Sequence, residues 1–109
     1  MRKKIDSYLG FAVKSRNLIC GYNTCVAAMN KGKIKLLLVA EDISQNTEEK
    51  ILRAAEKKRV LCRRYGAVSE LSRITGEENA GIFGIIDENF ANVILKEIEK
   101  SETEKKEVF

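Results

Sequence analysis

Gly21, Tyr22 and Asn23 follow a short apolar stretch and open a run of helical character, the arrangement that offers unpaired backbone N–H groups to a ligand. A helix start also carries a partial positive charge, so its open amides suit phosphate or base-edge oxygens. Asn23 adds an amide that both donates and accepts, and Thr24 adds a hydroxyl. Lys31, Lys33 and Lys35 then surround Gly32 and extend a positive field. Arg63 and Arg64 close a later apolar stretch ahead of Tyr65-Gly66, where the strand-to-helix loops of an open α/β sheet gather ligands. A lone tyrosine such as Tyr65 is more often a core or rim residue than a stacking platform for a base. The chemistry on offer is RNA recognition: phosphate neutralisation with a few base-edge contacts.

Other chemistries lack their parts. The chain has no histidine, so a Cys-His nucleophile is excluded. Cys20, Cys25 and Cys62 are odd in number, form no C-x-x-C pair and sit in or beside apolar segments, the pattern of reduced core cysteines. They make a poor zinc set, and no metal or cofactor is expected. Glu41-Asp42 read as a post-strand loop and Glu48-Glu49 as helix-start acids, so neither pair implies acid/base catalysis.

At 109 residues, with 44% apolar and 33% charged residues, the chain has the size and balance of one soluble domain. The apolar run Leu36–Ala40 is too short to cross a bilayer, and Arg2-Lys3-Lys4 lead into Asp6 rather than a signal-peptide core. A cytoplasmic monomer is expected. The net charge of +4 is uneven: residues 1–35 hold eight Lys or Arg against one acid, a net +7. That concentration favours an anionic partner on one face.

Periodicity predicts the elements that must carry these residues. Ile5, Tyr8, Leu9, Ala12 and Val13 recur at helical spacing over 5–16, followed by a short strand at 18–20. A helix over 23–31 is stopped by Gly32, and 34–40 is a buried strand. Asn46 with Glu49 reads as a reciprocal cap for a helix reaching about residue 58. A strand at 60–63, a helix at 69–75 closed by Gly76, a strand at 81–86 and a helix over 88–100 capped by Asp87 complete the order. Four short strands alternating with helices predict an α/β fold, a three-layer sandwich in one domain over 1–100, with 101–109 as a frayed charged tail.

Gly21-Tyr22-Asn23, the Lys31-Gly32 turn, the strand from Lys35 to Ala40 with Glu41-Asp42, then 60–63, 69–73 and 81–86 in that order resemble the kink-turn-binding ribosomal protein L7Ae family, above all its small single-domain bacterial members. The resemblance covers about residues 5–95. It implies a non-catalytic α/β/α sandwich that binds a kink-turn, an RNA bend built on tandem sheared G·A pairs, in ribosomal or structured regulatory RNA, with the ribosome as an expected partner. The family pattern is glycine, any residue, asparagine, glutamate, then lysine three positions later. Gly21 and Asn23 match it, whereas Thr24 replaces the glutamate and Ala27 the lysine. A loop that is usually apolar in the family is Glu77-Glu78-Asn79-Ala80 here. RNA contacts are expected at Gly21, Tyr22, Asn23, Thr24, Lys31, Lys33, Arg64 and Asn79, with the helix-start residues following from the resemblance and Lys31, Lys33 and Arg64 from their charge as phosphate contacts. The competing expectation is a protein-interaction subunit of the same fold with weakened, nonspecific RNA binding.

Overall fold

Two strands of continuous apolar sequence, Leu36–Val39 (β2) and Ile82–Ile85 (β4), lie side by side and are buried along their whole length. Leu18–Cys20 (β1) pairs with the far side of β4 and Cys62–Arg64 (β3) with the far side of β2, giving the order β1-β4-β2-β3. The β2–β3 pair is parallel and the other two are antiparallel. The expectation of doubly buried strands holds for the central pair, and the edge strands are half covered. The computed structural model of the chain describes residues 2–107 except Asn79, with side chains described over 4–100 apart from that position.

Helices cover both faces. Arg2–Lys14 (α1), Val68–Thr75 (α4) and Glu88–Glu107 (α5) lie on one side, where Ile5, Leu9, Leu71, Ile94 and Ile98 meet Leu36, Leu38, Phe83 and Ile85. Tyr22–Asn30 (α2) and Gln45–Lys57 (α3) lie on the other, where Cys25, Met29, Ile51 and Ala55 meet Leu37, Val39 and Ile82. Alternate residues of each central strand thus feed opposite cores, as a strand buried on both faces requires.

Element ends differ from the expectations in several places, with α1 at Arg2–Lys14 and β3 at Cys62–Arg64 among them. α3 is capped by Ser44, whose Oγ accepts from the Thr47 amide at 3.2 Å, and not by Asn46. The earlier start orients Glu48 toward Arg64, with Oε2 2.9 Å from Nε. Tyr65 belongs to the core, as expected of a lone tyrosine: it is 8% exposed and its hydroxyl donates to Asp6 at 2.9 Å. Finally, α5 continues past residue 100 to Glu107, through good helix formers without glycine or proline; Val108 and Phe109 lie outside the described residues.

α1, α2 and α3 close alike. After each, two amides turn back on the last turn: Arg16 and Asn17 onto Val13 and Ala12, Gly32 and Lys33 onto Met29 and Ala28, Arg59 and Val60 onto Glu56 and Ala55. The residue at the reversal has positive φ, 63° at Arg16, 70° at Gly32 and 56° at Arg59. Strand direction sends all three reversals to the end of the sheet where β1, β2 and β3 begin, the lower pole. The upper pole gathers the starts of α2, α3 and α4 and of β4.

At the upper pole Gly81 lets two elements approach the sheet. A Cβ there would overlap Cγ2 of Ile43 and lie 3.2 Å from Cγ2 of Val68. Gly81→Ala is therefore expected to lower stability by about 1–3 kcal/mol in denaturant unfolding. Burial pushes the Cys25 thiol up to about 12 and, helped by Glu48 and opposed by Arg63, the Cys62 thiol to about 11. Both stay protonated at pH 8, so neither should react appreciably with an aromatic disulfide reagent in native protein, and both should react once it is unfolded.

Candidate nucleic-acid interface

The head of α2 is built by a backbone conformation that few residues adopt. Gly21 has φ 103° and ψ 150°, a region essentially reserved for glycine, and turns the chain from β1 into the helix. Its amide donates to the Ile82 carbonyl at 2.9 Å and its carbonyl accepts from the Cys25 amide at 3.0 Å. No side chain caps this helix, so the amides of Tyr22, Asn23 and Thr24 have no acceptor among the described residues. The other upper-pole helices are closed. Ser44 caps α3, and α4 has Asp42 Oδ1 accepting from Val68 N at 2.8 Å and Glu70 Oε1 from Ala67 N at 3.3 Å.

Tyr22, Asn23 and Thr24 are all exposed around these open amides. Beside them Gly21, Tyr22, Ile43, Ser44, Val68 and Gly81 frame a depression of about 370 Å³. A second groove of about 450 Å³ runs down the flank of α2, from Thr24 past Ala27 to Lys31 and Lys33, with Ile19 and Ile86 as its floor. Ala27 faces this groove, and Lys31 stands one turn further along the same face.

The structure thus brings Gly21, Tyr22, Asn23 and Thr24 together and sets Lys31 and Lys33 at the opposite end of α2, joined to them only along the groove. Arg64 is at the upper pole but already engaged, donating from Nη2 to the Glu41 carbonyl at 2.9 Å and paired with Glu48. Asn79 lies outside the described residues. Sequence reasoning missed the cap that Asp42 supplies to α4, since nothing local signals a bond across 26 residues. It also missed that exposed Glu41 and Asp42 join Glu77 and Glu78 at the upper pole, beside the open helix head. Among the described residues no group of His, Cys, Asp or Glu is placed to hold a metal ion, and no helix is long and apolar enough to cross a membrane.

An alanine at position 21 would have to hold the same φ and ψ with a Cβ. Gly21→Ala is expected to cost about 1–3 kcal/mol of stability and to shift the amide resonances of residues 22–25, read by denaturant unfolding and by two-dimensional NMR.

Comparison with known proteins agrees with this architecture. The chain is 30% identical over 98 residues to the RNA-binding protein YlxQ of Enterococcus faecium, covering 90% of this chain and 94% of that one. It is 26% identical to the RNA-binding protein YlxQ of Bacillus subtilis, covering 80% and 87%. A solved structure of a protein of unknown function from Bacillus halodurans C superposes with a TM-score of 0.84 at 25% identity, covering 88% of this chain and 97% of that one. The 15.5kD RNA binding protein of Giardia lamblia shares the fold, with a TM-score of 0.72 at 20% identity, covering 91% and 84%. The match of the family model to residues 3–95 fits the resemblance carried by Gly21, Asn23 and the strands that follow, and the chain belongs to the ribosomal protein L7Ae/L30e/S12e/Gadd45 family.

Proposed function

We propose that this chain is a non-catalytic RNA-binding protein that seats a bent, structured RNA of the kink-turn type on the head of α2. One observation carries the reading: α2 leaves its first turn open beside exposed Asn23 and Thr24, while α3 and α4 spend side chains closing theirs. Open amides at a helix start receive anionic or carbonyl oxygens. Gly21 lets an RNA backbone approach closely, Asn23 reads a base edge exposed by the bend, and Thr24 contributes a hydroxyl. Both YlxQ relatives are named as RNA-binding proteins, which supports the partner class.

The two departures from the family pattern acquire a spatial meaning. Ala27 leaves the groove open where a lysine would stand, and Lys31 and Lys33 supply positive charge one turn lower. Tyr22 rims the site, and Arg64 holds the loop after β2 while adding a shared charge. Asn79 is proposed as a further RNA contact from the resemblance alone. The partner is ribosomal or regulatory RNA, bound by a monomer in the cytoplasm.

A titration at near-physiological salt against a kink-turn RNA and a control lacking the tandem G·A pairs tests this reading. Preference for the first by tenfold or more is expected, and Asn23→Ala should weaken it by about 1–3 kcal/mol. The acids at the upper pole favour the second reading, a protein-interaction subunit; equal, salt-fragile binding of both RNAs would establish that one instead.

A further inference from the structure

We propose that the lower pole is a second RNA-binding surface, which grips the phosphate backbone of a separate duplex segment while the head of α2 holds the bent RNA. The inference rests on RNA being the partner, but not on what Asn23 reads.

Charge at this pole comes from three separate turns. Lys14 and Arg16 stand at the α1 reversal, Lys31, Lys33 and Lys35 at the α2 reversal, and Lys57, Lys58 and Arg59 at the α3 reversal. Every one is exposed, and none makes an ion pair with a described residue, unlike Arg63 and Arg64 with Glu99 and Glu48. The acids nearest this end are Glu56, Asp87 and Glu88, and the Asp87 carboxylate is occupied by the Phe90 amide at 2.9 Å. Eight cations against three acids leave +5, more than the +4 of the whole chain. The stronger positive field therefore lies at the opposite pole from the helix-start motif.

Backbone geometry makes the same point independently. At two reversals the position with positive φ, where glycine is cheapest, is an arginine. Backbone hydrogen bonds tie each turn to the sheet, Asn17 to Ile86, Lys35 to Ile85 and Leu61 to Leu37. The cations are thus spread across four strand ends, roughly 14 Å at ordinary strand spacing, and over both helical layers. A rigid, spread array of this kind suits the closely spaced phosphates of a duplex. An anionic membrane is a poorer fit: the exposed large apolar residues described closest to these turns, Phe11 in the last turn of α1 and Leu61 just before β3, come from two separate elements, and stable surface binding needs a continuous apolar insertion as well as charge. The two poles lie at opposite ends of the sheet, so a short-stemmed RNA held at the α2 head leaves the lower one open to a second helix.

The test uses the full chain, a kink-turn RNA with short stems, a 20-bp plain RNA duplex and phosphatidylserine vesicles. Protein saturated with the kink-turn RNA should still bind the duplex, giving a ternary complex by native mass spectrometry. Neutralising Arg16, Lys57, Lys58 and Arg59 to Gln should weaken duplex binding by tenfold or more at low salt and reduce the slope of log affinity against log salt by about 2–4. Arg16→Lys with Arg59→Lys should keep binding, and circular dichroism checks that both variants fold. Asn23→Ala should leave duplex binding unchanged, so failure at the α2 head is read separately. Displacement of the kink-turn RNA by duplex, unaltered duplex binding in the neutralised variant, or binding of vesicles in place of duplex would each overturn the proposal.

Discussion

The hydrogen bond from the Gly21 amide to the Ile82 carbonyl ties together the end of an edge strand, the start of a central strand and the head of α2. It forms only because Gly21 occupies a backbone region closed to other residues, which lets β1 stop and the helix start within one residue. Everything at the upper pole is positioned from this point. The first amides of α2 stay open because Gly21, at the N-cap, has no side chain to accept from them. The bond also fixes α2 against the core beneath, where Cys25, Ala28 and Met29 are buried. The site is therefore an extension of the sheet and not a loop resting on it.

Much of this was legible in the residues. Alternation of apolar strands with amphipathic helices gave the element order, and the turns at Gly32 and Gly76 and the cap at Asp87 are where they were expected. Strand order was not legible, because it is decided by non-local packing: Gly84 sits so close to Ile34 and Ile19 that any side chain there would collide with them. The local capping signal at Asn46 failed, because Ser44, two residues earlier, has the extended backbone and its Oγ accepts from the Thr47 amide. The open head of α2 could be read from Gly21 and Asn23. Its surroundings could be read only in part, since Glu41 and Asp42 come from a second loop that joins Glu77 and Glu78 there.

The charge pattern shows why a linear count misleads about location. Residues 1–35 are strongly basic and contain the helix-start motif, which invites placing both on one surface. A helix of nine residues spans roughly 13 Å, enough to carry the lysines after Asn30 to the other end of the sheet. Proximity in sequence thus becomes separation in space, and the cations after α3, distant in sequence, become their neighbours.

The strand that holds the sheet together is the last one in the chain. β1 has no partner except β4, and β4 also separates β1 from β2. During synthesis the first seventy or so residues contain three strands, of which only β2 and β3 can pair, while β1 and the helix before it have no sheet to join. A nascent chain of that length exposes Leu36–Ala40 along an unpaired edge, a template for unwanted strand addition until residues 82–85 emerge. The abundant lysines beside that segment, Lys33 and Lys35, then guard the chain against aggregation before it has folded.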